Sequence, residues 1–195
     1  MDEETLTVWL DTALLMLGGF VLMSVLMMTV INPPTTSSES DDLQSPGNVI
    51  VEAQWADKVD ADVDLWVQAP GDVPVGYSNK SGKIFSLLRD DLGRAQDITD
   101  YNYEVAYTRG MPGGEYVVNL HMYRGRSVSY PVGVKIVASV KRDPTGAARR
   151  LVATTVQLRK ESQELTALRF RLDANGGLVA GSVNSLFKPL RAAAK

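Results

Sequence analysis

Pro131-Val132-Gly133-Val134-Lys135-Ile136-Val137-Ala138-Ser139-Val140 is the stretch from which the fold is read. Val132, Val134, Ile136, Ala138 and Val140 fall at every second position, so in an extended chain they line one face. That period belongs to a strand, here within Ser129 to Lys141, with one side buried. The same reading extends outward in both directions. Val49 to Trp55, Asp62 to Val67, Tyr103 to Tyr107, Tyr116 to Tyr123, Arg150 to Arg159 and Leu165 to Leu172 are further short runs of β character. Turn chemistry separates them, at Arg109-Gly110-Met111-Pro112-Gly113-Gly114, Asp143-Pro144-Thr145-Gly146 and Asp173-Ala174-Asn175-Gly176-Gly177. Little helical periodicity intervenes, and an all-β soluble domain, a β-sandwich, is expected over residues 49–184.

The chain's beginning follows another rule. Thr12 to Ile31 is a charge-free, Leu/Met/Val-rich run of about 20 residues, the length that carries a helix across the hydrocarbon core of a bilayer. Asn32-Pro33-Pro34 ends it, because proline cannot continue a helix. A cleaved signal peptide is disfavoured by the acidic Met1-Asp2-Glu3-Glu4 start, the length of the run and the want of a small-residue cleavage site. The expected organisation is a short N-terminal tail (1–5), a transmembrane helix (6–31), a linker (32–48), the β-sandwich (49–184) and a C-terminal tail (185–195). The linker, rich in Pro, Ser, Thr and acid, reads as an extended tether able to span on the order of 50 Å. No Lys or Arg lies near the helix until Lys58, so the positive-inside rule does not set its orientation.

Asp11 interrupts the apolar pattern. Leu6, Val8, Trp9 and Leu10 precede it, so the apolar segment begins before the charge, and Trp9 suits the membrane interface. A carboxylate at the centre of a spanning helix costs about 2.5–3.5 kcal/mol, and less near the interface; such groups usually face a partner helix or a hydrated pathway. Leu15, Gly18 and Leu22 follow on the same helical face, and Gly18 with Gly19 lets a second helix approach closely. The competing reading makes Asp11 an interfacial residue or a helix cap.

Trp9-Leu10-Asp11-Thr12-Ala13-Leu14-Leu15-Met16-Leu17, followed by Phe20-Val21-Leu22-Met23, resembles the N-terminal helix of the ExbD, TolR and MotB proteins. These are the B-type subunits of proton-driven membrane motors. The resemblance covers about 25 residues and lacks the proline that often precedes the aspartate in ExbD-type helices. It implies a short cytoplasmic tail, a proton-carrying Asp11 and a periplasmic outer domain at a bacterial inner membrane. It also implies a homodimer whose paired helices stand inside a ring of a polytopic ExbB/TolQ/MotA-like subunit. The outer domain departs from those families, which carry small α/β or peptidoglycan-binding domains there. Asp60-Ala61-Asp62-Val63-Asp64-Leu65-Trp66-Val67, with Pro70-Gly71, Tyr77-Ser78-Asn79 and Asp90-Asp91, instead resembles the YfaP-like β-sandwich domain over residues 49–142. That likeness implies an accessory module of envelope proteins and leaves its envelope partner unnamed.

Asp60, Asp62 and Asp64 recur at a spacing of two, which places them on one face of a strand, where a calcium ion with Asp90 or Asp91 would relieve their repulsion. Otherwise they form a solvated face opposite Val63, Leu65 and Val67. Beyond calcium no cofactor is expected. Gly76 to Lys83 falls short of a phosphate-binding loop and reads as a turn. His121, the sole histidine, is expected on a strand surface, facing away from Tyr116, Val118, Leu120 and Met122. No nucleophile motif accompanies it, and no enzyme is expected. Lys188 to Lys195 reads as a frayed basic tail. A net charge of −3 offers no basic face for nucleic acid, and with no cysteine there is no disulfide or thiolate chemistry. The leading expectation is a motor subunit in the lipid bilayer. Its alternative is a passive membrane-anchored β-sandwich scaffold or adhesion protein.

Overall fold

The computed structural model describes residues 2–31, 47–57, 59–91, 101–125, 128–143 and 146–194. The chain divides into two units, Met1–Leu43 and Gln44–Lys195. Helix α1, Glu3–Ile31, makes up the first and is long and apolar enough to cross a membrane. Glu3 and Glu4 in its first turn oppose the positive end of the helix dipole. The hydroxyls of Thr7, Thr12 and Ser24 donate to the carbonyls of Glu3, Val8 and Phe20, each at 2.8 Å. These bonds satisfy the hydroxyls within the helix itself, as an apolar solvent requires. Of the expected linker, 32–48, all but residues 47 and 48 lie outside the described residues.

In the second unit two antiparallel sheets pack as a β-sandwich. The strands are β1 (Val49–Trp55), β2 (Ala61–Gln68), β3 (Phe85–Arg89), β4 (Tyr103–Thr108), β5 (Gly114–Gly125), β6 (Val132–Val140), β7 (Arg149–Leu158) and β8 (Glu164–Leu172). One sheet runs β3-β4-β1-β6-β7 and the other β2-β5-β8. Val132, Val134, Ile136, Ala138 and Val140 are all buried, as their alternation predicts. Facing them from the smaller sheet are Val63, Leu65, Val67, Tyr116, Val118, Leu120 and Met122, in one continuous core. Strand β3 was not anticipated: Phe-Ser-Leu-Leu-Arg is five residues without clear alternation, and its register with β4 shifts between Leu87 and Arg89.

Asp72 sets the long connection from β2 to β3. Its carboxylate accepts the backbone N–H groups of Val73, Lys83, Ile84 and Phe85, at 2.7 to 3.3 Å. Partial desolvation works against its charge, but the four donors prevail and hold its pKa below the usual value.

Three of the four sheet edges are closed by the chain itself. Lys80 to Gly82 pairs along the outside of β3, with Leu87 N–H donating to Lys80 at 2.9 Å. Val75 exchanges two 2.8 Å bonds with Val67 on the outside of β2. Asn184 does the same for Arg169 on the outside of β8, at 2.7 and 2.9 Å. Among the described residues, nothing pairs with the outside of β7.

Gly76 is where the β2–β3 connection crosses the ring of the buried Trp66. A Cβ there would stand 2.4 Å from the indole. Gly76→Ala is expected to destabilise the domain by about 1–3 kcal/mol, the usual cost of overpacking, as a lower urea midpoint followed by tryptophan fluorescence.

Candidate functional site

Two places concentrate polar chemistry in apolar surroundings, one in each unit. In α1, Asp11 lies eight residues into the helix, about 12 Å from its start at 1.5 Å per residue. It therefore does not cap the helix. Leu15 and Leu22 are exposed along its stripe, and Gly18 and Gly19 have open space where a Cβ would stand. No partner for the Asp11 carboxylate exists among the described residues.

The second place is the side of β2 turned away from the core. Alternation sends Asp62, Asp64 and Trp66 there, and the register with β5 sets Arg124 opposite Asp62 and His121 opposite Asp64. Asp64 Oδ2 lies 2.7 Å from His121 Nδ1, and Asp62 lies 3.6 Å from Arg124. Farther along, Asn119 donates to Glu164 and to the Lys188 carbonyl, and accepts from Thr166, all at 2.8 Å.

Two expectations are corrected here. His121 is not on a strand surface: it is only 2% exposed. The acids of β2 are not a solvated face either, since Asp62 and Asp64 are both buried. The physical reason is a third correction, because residues 186–191 are not frayed but lie over the smaller sheet. Leu190 is fully buried against Trp66 and Val117. Its N–H donates to Glu164 at 2.9 Å, and Lys188 N–H donates to Thr166 at 2.9 Å. Residues 186–191 thereby cover part of the outer face of β2-β5-β8, where Asp64, Asn119, Thr166 and Glu164 are hydrogen-bonded while Trp66 Nε1 and His121 Nε2 are buried without a partner among the described residues.

Glu104 completes the cluster from the larger sheet. It lies on β4, fully buried, and accepts Leu65 N–H at 2.6 Å and Asp91 N–H at 3.1 Å. Asp91 in turn accepts Tyr103 N–H at 3.0 Å. Asp64, Asp90 and Glu104 bring carboxylate oxygens within 4.8 Å of one another, the group among the described residues with metal-ligand spacing. Of the acids proposed from the sequence for calcium, Asp64 and Asp90 belong to it, and Asp60, Asp62 and Asp91 do not. Asp62 faces Arg124, and Asp60 precedes β2. Each member of the trio already has a protein donor: His121 for Asp64, Lys80 at 3.0 Å for Asp90, and two backbone N–H groups for Glu104. A divalent cation would compete with these donors for the same oxygens.

Burial governs the titration of these acids. Desolvation, then the Asp64 charge, pushes Asp62 up to about 7, against the pull of Arg124. Desolvation also raises Asp64 despite its bond to His121, and raises Glu104 well above its usual range. Neither Glu104 nor Asp72 is distinguishable in the sequence as a site residue, although Asp72 does follow a Pro-Gly turn.

Comparison with known proteins finds no matching family model, no similar curated protein and no similar solved structure.

The raised pKa values fix a sign. Between the unfolded carboxyl value near 4 and about 7, the folded state binds more protons than the unfolded one, so stability falls as pH rises. Below that window Asp72, whose pKa is depressed, reverses the slope, because its stabilisation is lost on acidification. Thermal unfolding followed by circular dichroism is expected to give a lower Tm at pH 7.5 than at pH 5, with Asp62→Asn flattening the difference. Leu190→Ala is expected to cost about 2–4 kcal/mol, as for other buried leucines, with increased quenching of Trp66 fluorescence by acrylamide.

Proposed function

We propose that this chain is the single-pass subunit of a proton-driven membrane motor, with Asp11 as the group that takes up and releases the ion. The observation that carries the reading is the place of Asp11: inside an apolar helix, past its first two turns, and without a partner among the described residues. The glycines beside its stripe suit close approach of a second helix. In this reading two copies pair α1 in a bacterial inner membrane, N-terminus cytoplasmic, inside a ring of polytopic partners, with the β-sandwich periplasmic. Protonation neutralises the carboxylate and removes the cost of holding charge against apolar neighbours, and deprotonation restores it. Each proton moved across 100 mV supplies about 2.3 kcal/mol. The sandwich, on its tether, grips an envelope partner and bears the load.

A second reading, the passive scaffold or adhesion protein, draws support from the outer edge of β7, unpaired among the described residues, which suits a binding module whatever its anchor. The two readings separate on whether a generic apolar helix replaces residues 6–31 without loss of activity.

The direct test is gentle detergent extraction from the native membrane and native mass spectrometry. Two copies of the chain with several copies of a polytopic protein are expected. In proteoliposomes of that complex, proton uptake read by a pH-sensitive dye should fall to background with Asp11→Asn while the assembly persists. A lone chain, or undiminished flux with Asp11→Asn, overturns the motor.

A further inference from the structure

We propose that the outer edge of β7 docks an extended segment of another protein, uncharged over about seven residues and acidic at both ends. The inference is independent of Asp11. It begins from the contrast between the edges: the chain pairs the outsides of β2, β3 and β8 with its own Val75, Lys80 to Gly82 and Asn184. Soluble sheets also blunt their edges with lysine, proline or bulges. Strand β7 has none of these from Val152 to Leu158, Val-Ala-Thr-Thr-Val-Gln-Leu, where its register with β6 is regular. The irregularity on this ladder lies before it, opposite Ala138 and Ser139.

The side chains of that stretch present two faces. Val152, Thr154, Val156 and Leu158 stand beside Ala138, Ile136, Val134 and Val132, toward the core, while Ala153, Thr155 and Gln157 point to solvent. Leu158 is buried, but Val152, Thr154 and Val156 are only half covered, because they line the open side of the sandwich. An added strand with apolar residues at alternate positions would cover them, while its backbone pairs with β7.

Charge decides the occupant. Exposed Arg149 precedes the neutral stretch, and exposed Arg159 and Lys160 follow it. A second copy pairing antiparallel through its own β7 would set Arg149 against Arg159 and Lys160 at both ends, and like charges opposite one another destabilise a pair of strands. A foreign segment with Asp or Glu at each end turns the same groups into attraction.

The test uses the full-length protein in nanodiscs and a fluorescein-labelled peptide, Asp-Glu-Val-Thr-Val-Thr-Val-Thr-Val-Glu-Asp, read by fluorescence anisotropy. Saturable binding is expected, weakened about tenfold or more by replacing the acidic flanks with lysine, and similarly by Arg159→Glu with Lys160→Glu. These two residues are exposed beyond the strand, so the double variant should retain the wild-type circular dichroism spectrum. N-methylation of alternate amides in the peptide should abolish binding, because it removes the backbone donors. Equal binding of acidic and lysine-flanked peptides, or undiminished binding of the N-methylated one, overturns the proposal. So does failure of the parent peptide to bind, or a Thr155→Cys variant that crosslinks to itself in place of binding peptide.

Discussion

An ionised carboxyl taken out of water must be paired, hydrogen-bonded or neutralised, and β2 is built so that this cannot be avoided. Both of its faces are buried. Val63, Leu65 and Val67 fill the core, so the pleat sends Asp62 and Asp64 to the other side, beneath cover of their own. Arg124 and His121 supply cross-strand partners, and Glu104 uses its buried carboxyl to accept the Leu65 N–H on the outer edge of the strand. Withdrawing these groups from water is costly, which is why their protons are held so firmly.

The same cost makes the arrangement selective. A slip of one residue between β2 and β5 would move Val63 and Leu65 off the core, and would leave Asp64 opposite an apolar residue of β5 in place of His121. The hydrophobic pattern and the polar pairs thus specify one register independently. Residues 186–191 add a further condition, because Lys188 and Leu190 reach Thr166 and Glu164 only when β8 lies in its own register beside Asn119. Asn119 binds the carbonyl of Lys188 and the side chains of Glu164 and Thr166 together. It therefore links the covering segment to the strands it covers.

How much of this is legible in the chain depends on whether the governing contact is local. Alternation along β6 and the apolar run of α1 are local, and from them the sandwich and the helix follow directly. Seven of the strands lie within a few residues of the runs legible in the sequence; β3 is not legible because its pairing comes from Lys80 to Gly82 and β4, not from a pattern of its own. The burial of His121 is not legible because its surroundings are distant in sequence: Asp64 on β2 takes its Nδ1, and residues 186–191 fold back across the same sheet. No period reports such a contact. The cluster of Asp64, Asp90 and Glu104 is equally non-local, drawing on β2, the end of β3 and β4, whereas a spacing of two along one strand can group only Asp60, Asp62 and Asp64.

Each unit also leaves one surface unfinished, and the two want different completions. From Glu3 to Ser24 the side chains of α1 are exposed, so in the spanning arrangement proposed for it lipid would satisfy most of the helix as well as protein would. Hydrocarbon offers nothing to a carboxylate, however, and the stripe of Asp11, Leu15, Gly18 and Leu22 is where lipid alone is the poorer neighbour. At β7 the unmet groups are backbone N–H and carbonyl, which water serves adequately, so the edge is stable alone yet open to pairing. A demand that water meets permits reversible docking. In the arrangement proposed, a demand that lipid cannot meet would call for a standing partner or a hydrated path, and that difference would separate a site for exchange from a site for assembly.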